Sequence, residues 1–559
     1  MIVNAEALRP VDEVRADICI VGAGPAGIAI ALRFVDAGAG VVMLDSGGRR
    51  PDRAAQELCR GEVVDARLHP PADRFRRRGL GGSTSIWGGR CVPFDAQDFA
   101  PRPWLPGPSG WPIEYAALVP YWRRAHALCE LGGYDYAASS AVVGGMRPMF
   151  AGFADAAVST ERIERFSRPT DFGRTYAGAL DRSRHIRVLL GALCTEVILQ
   201  PDLKSVRHII AADRGGSRFR VYARIFVLAA GGLEVPRLLL ASRCQIPCGI
   251  GNVFGLVGRH YMCHLAGTVG LFSPAPGRSA WHGYDRTSDG VYCRRRMSIS
   301  ATAQREHGIG NVIARLHHPW PADAAHRTGA LSALHLARRL LPYEYSVRLG
   351  EGTVEVLPHL RTIAGDPLGS LAFAWQMLRH RVLAARKFPS LIAAPRVGPY
   401  RIDVHAEQLP NSASRVMLAH GSDAFGVPLL RIDWRYLPQD VRAVSVSLRL
   451  MADALSAGGH GQLIFDSAQV EADILRDGAY GGHHLGTARM SDSAATGVVD
   501  ANCLVFGASN LYVSGGAVFP TSGQANPTLT IVALALRLAD HLAVQLADAG
   551  CRPRCNLGN

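Results

Sequence analysis

The sequence predicts an α/β protein with a Rossmann-type dinucleotide-binding domain assembled from separate stretches of chain, and a second, substrate domain of antiparallel sheet plus helices. Three observations carry that expectation. With 559 residues and 48% hydrophobic content, the chain exceeds what one hydrophobic core holds, so at least two domains are expected. A stretch near the start runs strand, glycine turn, helix, strand, in the order of a dinucleotide site. A further strand, turn and helix return far downstream, which makes the first domain discontinuous.

The first stretch is ADICIVGAGPAGIAIALRFVDAGAGVVMLDSG, Ala16–Gly47. An apolar strand, Ile18–Val21, enters the turn Gly22, Ala23, Gly24, Pro25, Ala26, Gly27. A helix of Ala, Ile and Leu follows, then a strand over Val41–Leu44 that ends on Asp45 and Ser46. Gly22 permits the tight turn, Gly24 lets backbone approach a pyrophosphate, and Gly27 lets the helix sit close to the sheet with its N-terminus toward the anion. Asp45 falls where a carboxylate accepts ribose hydroxyls. This motif alone leaves NAD and FAD open.

The second glycine cluster, RGLGGSTSIWGG (Arg78–Gly89), points to FAD. Gly81, Gly82, Ser83, Thr84 and Gly88, with Trp87 among them, supply the small residues and hydroxyls that backbone packed against a ribityl chain and ring system requires. ARIFVLAAGGLEVPRLLLAS (Ala223–Ser242) reads as strand, turn at Ala230 and Gly231, and helix, completing the same sheet. The expected division is an FAD domain from 1–100, 180–250 and 481–545, a lid or substrate-domain segment at 101–179, a substrate domain over 251–480, and a tail at 546–559.

Charge excludes little and assigns no partner. The net charge of +14 comes almost wholly from scattered arginine, lysine standing only at Lys204 and Lys387, which is not a nucleic-acid signature. The clusters DRFRRR (Asp73–Arg78) and CRRRM (Cys293–Met297) are read as solvated faces. The N-terminus lacks a basic region followed by an apolar one, so a cytoplasmic location is expected. The longest apolar run, Leu529–Ala547, is broken by Arg537, Asp540 and His541 and reads as a packing helix, with no transmembrane segment expected. Twelve cysteines are expected to be reduced, as buried or incidental thiols. The groupings Cys244/Cys248 and Cys551/Cys555 lack the second pair a zinc site takes, so no metal is expected.

Three stretches together resemble the glucose-methanol-choline (GMC) oxidoreductases, FAD-dependent enzymes acting on alcohols. They are Ala16–Gly47, GLGGSTSIWGG, and GHHLGTARMSDSAATGVVDANCLVFGASNLYVSGGAVFPTSGQANPTLTIVALALRLADHL (Gly482–Leu542). SGWPIEYAALVPYW (Ser109–Trp122) and VGRHYMCH (Val257–His264) extend the likeness. STSIWGG and DAFGVPLLRIDWRY (Asp423–Tyr436) are most similar to the branch of pyranose oxidases and bacterial sugar or polyol dehydrogenases.

The resemblance implies roles. The family pattern His-x-x-Gly-Thr assigns His483, not His484, as the base that takes an alcohol's proton while hydride passes to flavin N5. Asn526 in QANPT implies the hydrogen bond to the substrate oxygen. Pro527 and Thr528 would lie near the flavin's pyrimidine edge at the start of the last helix, whose dipole favours negative charge on the ring. Val197 is expected on the adenine side, and Gly516 and Ala517 near the cofactor, although Gly515 and Gly516 stand where many members carry an acid. Ile86 replaces the histidine through which some members attach FAD, so non-covalent FAD is implied. Between Cys129 and Cys194 there is no cysteine, which excludes the iron-sulfur cluster of certain relatives. His260, His264 and Gln524 are further pocket candidates.

The expected partner is a small-molecule alcohol, such as a sugar, glycoside, polyol or natural product. The acceptor (oxygen, quinone or redox protein) is left open. Two rivals stand beside this reading, a redox-silent lyase on the same fold and a non-catalytic FAD-stabilised subunit that binds a partner protein. Retention of both His483 and Asn526 argues against the second.

Overall fold

The structure is a computed structural model, and it describes all residues except 8–12, 341–345, 347–348, 350–354, 391–398, 477 and 549–559. The Cys551/Cys555 grouping and most of the expected C-terminal tail therefore lie outside the described residues.

Six strands form a fully parallel sheet in the order Ile2–Asn4, Ile186–Leu190, Val41–Asp45, Ile18–Val21, Ile225–Leu228 and Leu511–Val513. Its inner strands are buried on both faces, which is why they read as unbroken apolar runs rather than alternating ones. The crossover helix Pro25–Arg33 starts on a proline, whose fixed φ suits a first turn. Against it packs the final helix, Thr528–Asp548, which also contacts Tyr115–Leu128. The final helix is long and apolar enough to cross a membrane by length and composition. Its apolar residues are instead core, with Leu529, Val532, Leu538 and Leu542 buried.

The second region is built on a seven-stranded antiparallel sheet. Its order is Gly461–Ile464, Met262–Pro274, Tyr400–Glu407, Val312–His317, Met297–Ile299 and Val158–Ser159, with Tyr480–Leu485 also paired to Met262–Pro274. Helix Pro438–Ala457 covers one face, burying Val444, Leu448 and Met451 against Leu265, Val404 and Ala406. Because side chains alternate along a strand, His264 and His405 project from the opposite face. That face carries the site. Three strands of the 1–100 segment pair outside the parallel sheet: Glu13–Arg15 with Arg218–Tyr222, Gly61–Val63 with Pro428–Asp433, and Arg90–Cys91 with Ile163–Phe166.

One sequence reading changes here. The arginine clusters are solvated only in part: Arg74 and Arg77 are exposed, whereas Arg76 and Arg294 to Arg296 are buried. Glu234 bridges Arg76 at 2.8 Å and Arg78 at 2.7 Å; its burial favours the neutral acid, but Arg78, Arg237 and Arg76 hold it well below the usual carboxylate range. Among the described cysteines, Cys244 and Cys248 are exposed and the others buried.

The interior holds several neutral histidines. Burial pushes His69, His126 and His260 down to about 4 and His264 to about 3, and lowers His405 and His484 well below 6.5. In the unfolded chain these groups protonate near 6.5, so the unfolded state binds more protons between about pH 4 and 6.5. Their contribution is complete above that window and lost as pH falls through it, each at most about 1.4 kcal/mol per pH unit. Asp98 and Asp440, which burial raises to about 8 and about 7, work in the opposite sense and offset part of it. The melting temperature is expected to fall steadily from pH 7 to pH 5. A flat profile would mean that these histidines titrate normally in the native protein.

Candidate active site

A cavity of about 490 Å³ is lined from both regions. At one end lie Gly22, Gly24, Pro25, Ala26, Asp45, Ser46, Gly82, Ser83, Thr84, Trp87, Gly88, Ala230 and Gly231. The three turn glycines do different work. A Cβ on Gly22 would sit 2.5 Å from Ala229 O, and one on Gly27 2.0 Å from Gly22 O, whereas one on Gly24 meets nothing within 4 Å. Gly22 and Gly27 thus serve close packing, and Gly24 leaves room in the cavity. This arrangement fits the pyrophosphate of a dinucleotide against bare backbone.

The Asp45 carboxylate accepts from the Ala23 and Gly47 N–H groups, both at 2.9 Å, so it shapes the turn while still facing the cavity. Arg78 donates to Ser46 Oγ at 2.8 Å. Arg76, Arg77 and Arg78 all line this end, so the basic cluster lies beside the cofactor cavity. Ile86 is also in the wall. With no nucleophile at that position, FAD is held non-covalently.

Other expected residues support the cavity without lining it. Ala23 and Ala517 are fully buried. Gly81 adopts φ +91° where a Cβ would lie 2.5 Å from Gly173 N. Val197 is buried opposite Ile209, with its N–H on Ser242 Oγ at 3.0 Å. The apolar stretch Ile186–Leu199, which includes Val197, forms two strands, Ile186–Leu190 and Leu193–Leu199, separated by a turn at Gly191 (φ +69°). Ala192, Leu193 and Cys194 line the cavity in place of Val197.

His483 reaches the cavity from strand Tyr480–Leu485. Gly481 and Gly482 precede it with φ of +73° and +65°, and a Cβ on Gly482 would lie 2.1 Å from Phe75 Cβ. The paired histidines diverge as neighbours on a strand must. His483 turns to His264, with Nδ1 to Nδ1 at 2.8 Å, and to Asn526, whose Nδ2 is 3.2 Å from His483 Nε2. His484 instead stacks on His69, ring centroids 6.4 Å apart, and leans on Tyr261.

The proton positions in this network follow from one arginine. Arg90 Nε donates to Asn526 Oδ1 at 2.6 Å, and a guanidinium only donates, so the Asn526 oxygen must face it. Asn526 Nδ2 then donates to His483 Nε2, which therefore carries a lone pair. A neutral ring in that state keeps its proton on Nδ1, which faces His264 Nδ1. Burial and the charge of Arg90 keep His264 neutral. His405 stacks on His264 at 4.4 Å and is tied through Nδ1 to the Gln524 carbonyl oxygen at 2.7 Å.

His264, His405 and His483 bring one nitrogen each within 4.8 Å of one another, a spacing that also suits a metal ion. A cation bound through the facing Nδ1 atoms would have to break the His264–His483 hydrogen bond, so the geometry present is one of tautomer control. Arg90, His264 and His405 had weak signals in the sequence. Arg90 directly follows the WGG triplet, His264 ends the VGRHYMCH match, and nothing local marks His405. Of the other pocket candidates, Gln524 is buried between Arg296 and Asp95, and His260 is buried away from the cavity wall.

Beyond Asn526 the wall is strongly polar, with Glu164, Arg294, Arg315, His317, Ser390 and Asp403. Arg315 binds Glu164 at 2.8 Å and pairs with Asp403.

A dinucleotide cavity with a histidine and an asparagine side by side in its wall fits a flavoprotein oxidoreductase. Residues 410–535 match the family model described as GMC oxidoreductase. The chain is 23% identical to 2-methyl-1,2-propanediol dehydrogenase of Mycolicibacterium austroafricanum, covering 96% of each. It is 26% identical to paromamine 6'-oxidase of Streptomyces fradiae, over 95% of this chain and 92% of that one. Among solved structures it is similar in fold to pyridoxine 4-oxidase from Mesorbium loti, with TM-score 0.53, 16% identity, and coverage of 94% of this chain and 99% of that one. The GMC oxidoreductase match spans residues 410–535, the relatives carry the likeness along nearly the whole chain, and the protein is an FAD-dependent enzyme acting on CH–OH donors.

Proposed function

We propose that this protein oxidises a CH–OH group of a hydroxyl-rich alcohol, such as a sugar, glycoside or polyol, to a carbonyl, with His483 as the base. The observation that carries this reading is the Asn526–His483 pair, held at 3.2 Å in the cavity wall with the His483 lone pair on Nε2. A substrate hydroxyl placed between the two gives its proton to Nε2 and accepts a hydrogen bond from Asn526 Nδ2. Bound FAD supplies the hydride-accepting chemistry. Arg90 keeps the Asn526 amide in its donating orientation, and His264 keeps the His483 proton on Nδ1. A base with an unperturbed pKa near neutrality is well matched to this proton transfer.

The polar wall of Arg90, Glu164, Arg294, Arg315 and Asp403, whose groups already pair with one another and with backbone, supports a substrate whose several hydroxyls can join that network. The names of the relatives, a paromamine oxidase and a propanediol dehydrogenase, point the same way. Ten free cysteines among the described residues support a reducing, cytoplasmic setting. The test is anaerobic mixing of the FAD-loaded protein with a panel of sugars, glycosides and polyols while flavin absorbance is followed. At least one polyhydroxylated alcohol is expected to bleach the flavin faster than simple aliphatic alcohols. A preference for aliphatic alcohols would remove the substrate assignment, and turnover without any bleaching would favour the lyase rival.

A further inference from the structure

We propose that the segment from Val356 to Lys387 is a docking surface for an anionic lipid bilayer. Helices Val356–Gly365 and Pro367–Met377 and the turns after them stand at the surface, and no residue of Pro367–Met377 is buried. The exposed side chains are nonetheless large and apolar: Leu368 is 79% exposed, Leu371 68%, Trp375 62%, Val382 69% and Leu383 71%. A soluble protein rarely leaves so dense an apolar surface uncovered unless something binds it.

The charge on the same segment selects the partner. From Pro367 to Ser390 the chain has no Asp or Glu; of its bases, Arg381 and Arg386 donate to backbone carbonyl oxygens of the protein, and Arg379 and Lys387, one of the protein's two lysines, supply the charge toward the surface. Leucines and a tryptophan beside cationic side chains make up the composition that seats a helix in a headgroup region, the apolar residues entering the acyl boundary and the bases meeting lipid phosphates. A second copy of this chain fits less well, since a two-fold contact would bring these bases against themselves on proteins of net charge +14.

The surface is continuous with the active-site cavity. Phe388 packs edge-on against Tyr284 and Tyr292 at 5.0 and 5.3 Å, and Tyr284, Pro389 and Ser390 line the cavity. A protein seated on this segment therefore holds that side of the cavity beside the bilayer.

The test is co-sedimentation of the full-length, FAD-loaded protein with vesicles of equal parts phosphatidylglycerol and phosphatidylcholine, against vesicles of phosphatidylcholine alone. Binding is expected to the anionic vesicles, weakening as salt is raised. The double variant Leu371→Ser/Trp375→Ser is expected to lose affinity about tenfold or more, the scale of losing two inserted apolar side chains. Arg379→Gln/Lys387→Gln is expected to lose about fivefold for each base removed. Both variants should keep wild-type flavin content and wild-type flavin reduction, because none of these side chains lines the cavity. Equal sedimentation of wild type and the Leu371/Trp375 variant, or no binding to either vesicle, would overturn the proposal. A wild-type dimer without lipid that the same variant converts to monomer would assign the surface to a second copy instead.

Discussion

His483→Ala is expected to fold, to hold FAD, and to reduce its flavin with alcohol about 10²-fold or more slowly, the scale of a lost general base. His483 contacts His264 and Asn526 at the cavity wall and supports neither core, so its removal takes away a proton acceptor and little else. His484→Ala is expected to cost far less in rate, since its ring packs on His69 and Tyr261. Asn526→Ala should fall between them, removing one hydrogen bond and leaving the base. Arg90→Met should resemble Asn526→Ala, because without the guanidinium the amide is no longer held with its nitrogen toward His483. Anaerobic stopped-flow measurement of flavin reduction checks the series. If His484→Ala proved slower than His483→Ala in folded, flavin-loaded protein, the base would be assigned to the wrong histidine.

The second large effect is expected at the glycine turn, where two substitutions should fail for different reasons. Gly24→Val should fold, since an added Cβ meets nothing within 4 Å, yet purify almost without flavin, because the new side chain occupies the room through which pyrophosphate meets backbone. Gly27→Ala should fail to fold or fold poorly, as its Cβ would sit 2.0 Å from Gly22 O, a backbone atom that cannot step aside. Circular dichroism and the ratio of flavin to protein absorbance separate the two. Full flavin occupancy in folded Gly24→Val would show that the cavity at this turn is not the cofactor site.

The parts of the site visible in the sequence are those governed by local backbone geometry. The turn Gly22–Gly27 must bend within a few residues and bring a helix against a strand, so its glycines are spaced by covalent constraint and read directly. His483 was recognisable by its distance from Gly486 and Thr487. The adenine side was misplaced by a few residues because the turn at Gly191 interrupts what reads as continuous β-forming sequence. The arginine clusters were misjudged for a related reason. A run of bases looks solvated until Glu234 is found bridging Arg76 and Arg78, and Glu164 near enough to act on Arg294 and Arg296, both acids distant in the chain.

By itself, then, the sequence determined the dinucleotide fold and FAD as cofactor, and it singled out His483 rather than His484 as the proposed base, since each rests on spacings within one short segment. The tertiary structure alone decided how that histidine is primed. Residues 90, 264, 405, 483 and 526 lie on separate elements and meet only because Tyr480–Leu485 and Tyr400–Glu407 pair with Met262–Pro274 while the last helix begins beside them. The tautomer of His483 is set by a chain of donors and acceptors through Arg90, Asn526 and His264, and hydrogen-bond direction across such distances has no local trace in a sequence. The same holds for the exposed leucines and Trp375. Whether an apolar helix faces a core or a bilayer depends on what the rest of the chain leaves uncovered.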